Sequence, residues 1–162
     1  HDQDSVLFNE TGKYRVLRYW LKGPRQGRMD VVIDNLPGFP DNISQASSGG
    51  YYLGLASPRS AQVDRISDKP FIRKVVQRLP QFIRPQGKAY GHLLKISESG
   101  KLTQSLQDPS GAYPFVTGAI ETEHGLFISS LKAPAVGILP LDKKRPASDV
   151  TVTNIDAHSG NN

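Results

Sequence analysis

A glycine turn followed by a short apolar strand occurs twice in this chain. Gly50-Tyr-Tyr-Leu-Gly-Leu55 returns as Gly125-Leu-Phe-Ile-Ser-Ser130, an offset of 75 residues. Ser5-Val-Leu-Phe8 falls on the same strand about 44 residues before the first copy, with Phe8 in the place of Tyr52. A recurrence of roughly 40–50 residues per four-stranded unit is the mark of a β-propeller, in which each unit is one blade. The longer second interval then holds one unit plus an insertion. The intervening sequence agrees, because short apolar or alternating runs dominate it. They are Tyr14–Trp20, Asp30–Ile33, Asn42–Ser44, His92–Ile96, Leu102–Leu106, Phe115–Glu121 and Ala135–Leu139. Fifteen glycines and twelve prolines supply the turns that so many short strands need.

The insertion covers Ser57 to Lys88. Ser67 is placed as an N-cap, and Phe71, Ile72, Val75, Val76 and Leu79 recur at helical spacing until Pro80 stops the pattern. The spacing predicts an amphipathic helix lying on the blades, with Arg73, Lys74 and Arg78 in solvent. Residues 1–142 therefore read as the last strands of one blade plus two further blades, with the insertion at 57–88. A polar tail follows at 143–162, in which 149–154 alternates as an edge strand would. So few blades standing alone would leave strand edges and half of an axial wall uncovered. The expectation is a C-terminal half whose partner is the N-terminal half of the same propeller. The chain opens on His1 rather than Met, so its true start and any targeting segment are expected upstream.

Composition excludes several classes of function. With no cysteine there is no disulfide, thiolate metal site or thiol nucleophile. The net charge of +5 comes without aromatics interleaved among the basic residues, so no nucleic-acid partner is expected. No apolar run is long enough to span a bilayer, so any membrane association would run through a segment outside this chain. Two glycosylation sequons, Asn9-Glu-Thr11 and Asn42-Ile-Ser44, would count in a secreted protein.

The chemistry concentrates in Leu36-Pro-Gly-Phe-Pro-Asp-Asn-Ile-Ser44. Pro37, Gly38 and Pro40 predict a sharp turn before residue 41. Asp41 and Asn42 then stand at the mouth of a strand, and two readings fit them. They cap the turn through side-chain hydrogen bonds, or they offer a carboxylate and a carboxamide oxygen to a hard cation such as calcium. By the 75-residue offset, Val116 and Thr117 occupy the equivalent positions in the next blade. Thr117, Tyr113, Phe115 and Phe39 are the candidates for a substrate pocket. His92, in a strand, and His124, in a turn, read as structural.

The strings Phe8-Asn-Glu-Thr-Gly-Lys-Tyr-Arg-Val-Leu-Arg-Tyr-Trp-Leu-Lys-Gly-Pro24 and Asn35-Leu-Pro-Gly-Phe-Pro-Asp-Asn-Ile43 closely resemble the strictosidine synthase-like proteins. So do Lys69-Pro-Phe-Ile-Arg-Lys74, Ser105-Leu-Gln-Asp-Pro-Ser-Gly111 and Gly125-Leu-Phe-Ile-Ser-Ser-Leu131. The likeness runs from about residue 5 to residue 142. It includes the hemomucin-like and membrane-associated animal branch, with gluconolactonases and paraoxonases as more distant kin. It implies an all-β, six-bladed propeller, of which this chain is the last two and a half blades.

In that family an axial calcium is bound by an Asp opening an inner strand, and the paraoxonase pattern Asp-Asn-Ile is matched by Asp41, Asn42 and Ile43. The resemblance thus implies Asp41 and Asn42 as metal ligands and Asp41 as the catalytic residue of a calcium-dependent hydrolase. Its substrates would be small esters or lactones, and its remaining ligands would lie in the missing half. The alternative is a non-catalytic propeller that binds partners and uses calcium structurally. The alkaloid-forming branch needs a Glu on the last blade's inner strand. Here that stretch is Val116-Thr-Gly-Ala-Ile120, while Glu121 and Glu123 come later and are expected to face solvent, so strictosidine formation is rejected. The family's setting implies the secretory pathway, an endomembrane or the extracellular space.

Overall fold

The computed structural model describes residues 3–65, 69, 71, 74, 78, 87–140 and 152–154. About 52% of the described residues are in strands and 7% in helices, so the fold is all-β. Three strands, β1 (Ser5–Glu10), β2 (Arg15–Trp20) and β3 (Met29–Ile33), form a first antiparallel sheet. The second sheet contains β4 (Gly38–Gln45), β5 (Tyr51–Pro58), β6 (Gly91–Ile96) and β7 (Leu102–Asp108). The third contains β8 (Val116–Thr122), β9 (Gly125–Ser130) and β10 (Gly137–Leu139). Each is a meander of consecutive strands, as propeller blades are. A last short strand, β11 (Val152–Asn154), joins the outer edge of the second sheet by pairing parallel with β7.

The second sheet is buried on both faces. Successive side chains of a strand point to opposite sides, so Tyr52 and Leu53, or Leu93 and Leu94, enter different cores. Leu53, Leu55 and Leu94 meet Tyr14, Val16 and Leu36 from the first sheet and its connections. Tyr52, Leu93 and Leu106 meet Tyr113, Val116, Leu126 and Ile128 from the third. This is why β5 and β6 read as continuous apolar runs rather than alternating ones. Each fully buried Leu removes enough apolar surface to contribute about 1.5–3 kcal/mol.

β4 and β8 lie side by side at the inner edges of their sheets, where the Ser44 hydroxyl donates to the Ala119 carbonyl. Gly54 on β5 permits the approach, because a Cβ there would land on the Thr117 carbonyl and the Gly118 nitrogen. The turn after β7 is fixed by Asp108, whose carboxylate accepts the N–H groups of Ser110 (3.0 Å) and Tyr113 (2.7 Å). Burial alone would raise its pKa, but a bond from the Ser110 hydroxyl together with these N–H groups outweighs it and holds the carboxyl below its usual range.

One local expectation is corrected. The segment Gly38–Pro40, expected as a turn, already belongs to β4. β4 is an edge strand, so Pro40 costs no ladder bond by lacking an N–H. In the connection between β5 and β6, a short helix α1 (Ala61–Asp64) follows β5. The amphipathic helix expected from Ser67 to Leu79 falls largely outside the described residues.

Gly54→Ala is expected to destabilise the intact protein by at least about 1–3 kcal/mol, the usual cost of overpacking. Gly12, which has no neighbour near a built Cβ, serves as the control. Urea denaturation of Gly54→Ala and Gly12→Ala compares the two, and equal midpoints would show that the close approach of β8 is not required.

Candidate functional site

Asp41 and Asn42 occupy an irregularity in the pairing of β4 with β5. Pro40 pairs with Leu55 and Ile43 with Leu53, so the two residues together stand opposite Gly54. Such a bulge interrupts the alternation of a strand and re-aims its side chains. Asp41 is half-buried and Asn42 exposed. The Asn9 amide of β1 crosses to the bulge and donates from Nδ2 to the Asp41 carbonyl at 2.6 Å. On the other side, a Cβ at Gly118 of β8 would meet the Asn42 Cβ at 3.2 Å. Strands from all three sheets therefore converge on Asp41-Asn42.

The described residues supply no hydrogen bonds of a turn cap here. Among the described residues, neither the Asp41 carboxylate nor the Asn42 carboxamide has a hydrogen-bond partner. The Asn9 Oδ1 is likewise buried without a partner. Asp41, Asn42 and Asn9 thus each carry a side-chain oxygen without a partner among the described residues, and oxygen is the donor a hard cation uses. Among the described residues no group of three or more His, Asp or Glu side chains surrounds them.

The pocket candidates are spread across the fold. Thr117 comes nearest the bulge: it sits in an irregularity of β8, with its Oγ1 2.7 Å from the Ser129 hydroxyl. Phe39 packs against Tyr14, ring centroids 4.7 Å apart, beside the core between the first and second sheets. Tyr113 belongs to the other core. Its hydroxyl lies 2.7 Å from the Ile128 carbonyl and accepts the Gly137 N–H at 2.8 Å. Phe115 is half-buried under the Lys132 ammonium, 4.7 Å from the ring centre. Glu121 departs from its expected solvent position. Its side chain is only 9% exposed, accepts the Ser48 hydroxyl at 2.8 Å and lies 3.9 Å from the Lys95 ammonium. Burial, reinforced by that carboxylate, pushes the Tyr52 hydroxyl up to about 12.

A second polar cluster lies on the inner face of β6 and β7. His92, 8% exposed, has Nε2 3.0 Å from the Ser105 hydroxyl. That oxygen accepts the Gln107 amide at 2.8 Å, and Gln107 accepts the Tyr90 hydroxyl at 2.5 Å. The cross-strand pairs His92–Gln107 and Leu94–Ser105 put these groups on one face. Burial pulls the imidazole down to about 4, so it is neutral at pH 7. Ser105 accepts from Gln107 and can give its own proton to Nε2, an arrangement that leaves the ring hydrogen on Nδ1. Spacing in the sequence gave no sign of this cluster, because thirteen residues and a hairpin separate His92 from Ser105. His124 is exposed and faces only Glu123, at 3.4 Å.

The unfolded chain takes up a proton at His92 near pH 6.5, while the folded protein does so only near 4. Stability from this residue is therefore full above pH 6.5 and falls as the pH drops toward 4, by up to about 3 kcal/mol. Urea melts of the intact protein at pH 7 and pH 4.5 should show this loss, and His92→Gln should remove most of the difference.

No family model matches the chain. Among curated proteins, it is 35% identical over 147 residues to the adipocyte plasma membrane-associated protein of Rattus norvegicus, covering 86% of this chain and 39% of that protein. The protein of the same name from Bos taurus is 36% identical over 139 residues, covering 82% and 34% respectively. Strictosidine synthase-like 10 of Arabidopsis thaliana is 34% identical over 149 residues, covering 86% and 39%. The chain thus spans less than two fifths of the length of these curated relatives. Among the described residues, no helix is long and apolar enough to cross a membrane.

Proposed function

We propose that this chain, a homologue of the strictosidine synthase-like proteins, forms part of a calcium-dependent hydrolase of small esters or lactones. The observation that carries the reading is the bulge in β4. It sets Asp41 and Asn42 together opposite Gly54, between Asn9 of β1 and Gly118 of β8, and none of the three side-chain oxygens has a partner among the described residues. These donors suit a hard divalent cation, and Asp41 and Asn42 are the residues that would hold it. The chain offers too few oxygens for a full shell of six to eight, so the remaining ligands would come from earlier blades of a six-bladed ring.

When bound, calcium supplies a fixed positive charge beside the scissile carbonyl, which lowers the cost of the developing oxyanion. The residues of this chain do the rest. Asn9 pins the Asp41 carbonyl and so fixes the bulge. The Asp41 carboxylate orients the attacking water and accepts its proton. Thr117, on the neighbouring inner strand, borders the space in which substrate would lie. The whole protein would pass through the secretory pathway or face an endomembrane, in keeping with relatives named plasma membrane-associated.

The test uses the intact protein and phenyl acetate. Hydrolysis should disappear with a calcium chelator and return with added calcium. Asp41→Ala should lower calcium-dependent turnover at least about 100-fold, as loss of an oxyanion-stabilising element does. Turnover indifferent to both chelator and Asp41→Ala overturns the proposal. A chelator that lowers only the melting temperature, in a protein without hydrolysis, leaves the cation a structural role alone.

A further inference from the structure

A cavity of about 550 Å³ lies against the His92 cluster, between the first sheet and the outer strands of the second. It falls in the size range of small-molecule sites. Ile33, Leu36, Leu94 and Leu102 provide apolar walls, and Tyr90, His92, Ser105 and Gln107 contribute polar groups. These groups satisfy one another only in part. Among the described residues, Nδ1 of His92 has no hydrogen-bond partner, because its one bond uses Nε2, and it carries the ring hydrogen when Ser105 donates to Nε2. Gln107 spends one amide hydrogen on Ser105 and keeps the other free. Tyr90 donates to Gln107, and its oxygen retains acceptor capacity.

We propose that this cavity binds a small uncharged molecule with an apolar body and a carbonyl group, whose oxygen accepts from the Nδ1–H of His92 and the free amide hydrogen of Gln107. Charge on the lining fits this class. Among the described residues no lysine or arginine lines the cavity, and the one lining carboxylate, Asp34, is exposed and accepts the Asn35 N–H at 2.7 Å. The imidazole stays neutral over the ordinary pH range, its proton held at about pH 4, so it donates without attracting an anion. The site uses none of the residues at the β4 bulge and stands whether or not the protein is a hydrolase.

The experiment titrates the intact protein, labelled with ¹⁵N in its histidines, with 2-nonanone, a carbonyl compound that no esterase consumes. Saturable movement of the His92 ring-nitrogen resonances is expected, with His124 unmoved. Nonanoate, of similar length but anionic, should bind at least about tenfold more weakly. Leu102→Trp, which fills the cavity, and Gln107→Leu, which removes a donor, should each weaken 2-nonanone at least about tenfold, with melting curves confirming the fold. The wild-type titration decides the matter even if a variant does not fold. No saturable shift at His92 overturns the proposal, as does nonanoate binding as tightly as the ketone, or folded variants that bind as wild type does.

Discussion

The two-sided burial of the second sheet is the constraint on which the rest of the structure depends. Its strands cannot alternate between apolar and polar residues, because both faces are interior, and β5 and β6 are written accordingly. The flanking sheets need only one apolar face to cover it, yet they carry apolar residues on the other face too. Val6, Phe8, Met29 and Val31 of the first sheet are exposed, as are Ile120 and Ile138 of the third. Both flanking sheets thus present apolar strand surface that no described residue covers.

The candidate site arises where regular pairing gives way. β4 and β8 approach closely because Gly54 and Gly118 leave room, and both strands are irregular at the point of approach. A regular strand would have turned one of Asp41 and Asn42 toward each face. The bulge sets both residues against a single partner position and frees them from the alternation. Cross-sheet bonds then hold the bulge in place, from Asn9 on one side and between Ser44 and Ala119 on the other.

Much of this was legible in the residues. The strands were visible because apolar runs and glycine turns are local signals, and the 75-residue offset relates β4 to β8, which prove to be neighbours in space. The resemblance to the strictosidine synthase-like proteins agrees with the curated relatives. Other features were hidden for physical reasons. The prolines around Gly38 read as a turn because their tolerance on an edge strand depends on sheet order, which is not a local property. The His92–Ser105 pair depends on the register of β6 with β7. Glu121 read as solvated because only the fold brings Lys95 and Ser48 to it.

Consecutive strands pair within each sheet, and that order has a consequence for the chain as it is made. The first sheet has all of its strands once Ile33 has emerged, but the surface that covers it is finished only at Leu102, 69 residues later (102 − 33). At the usual pace of synthesis that delay is about 3–14 s. Throughout it, Val16 and Leu36, among the most deeply buried residues of the finished protein, face the crowded environment at the ribosome exit without their partners. The emerging chain is therefore most exposed to misassociation while the segment between β3 and β7 is being made, and chaperone protection matters most over that interval.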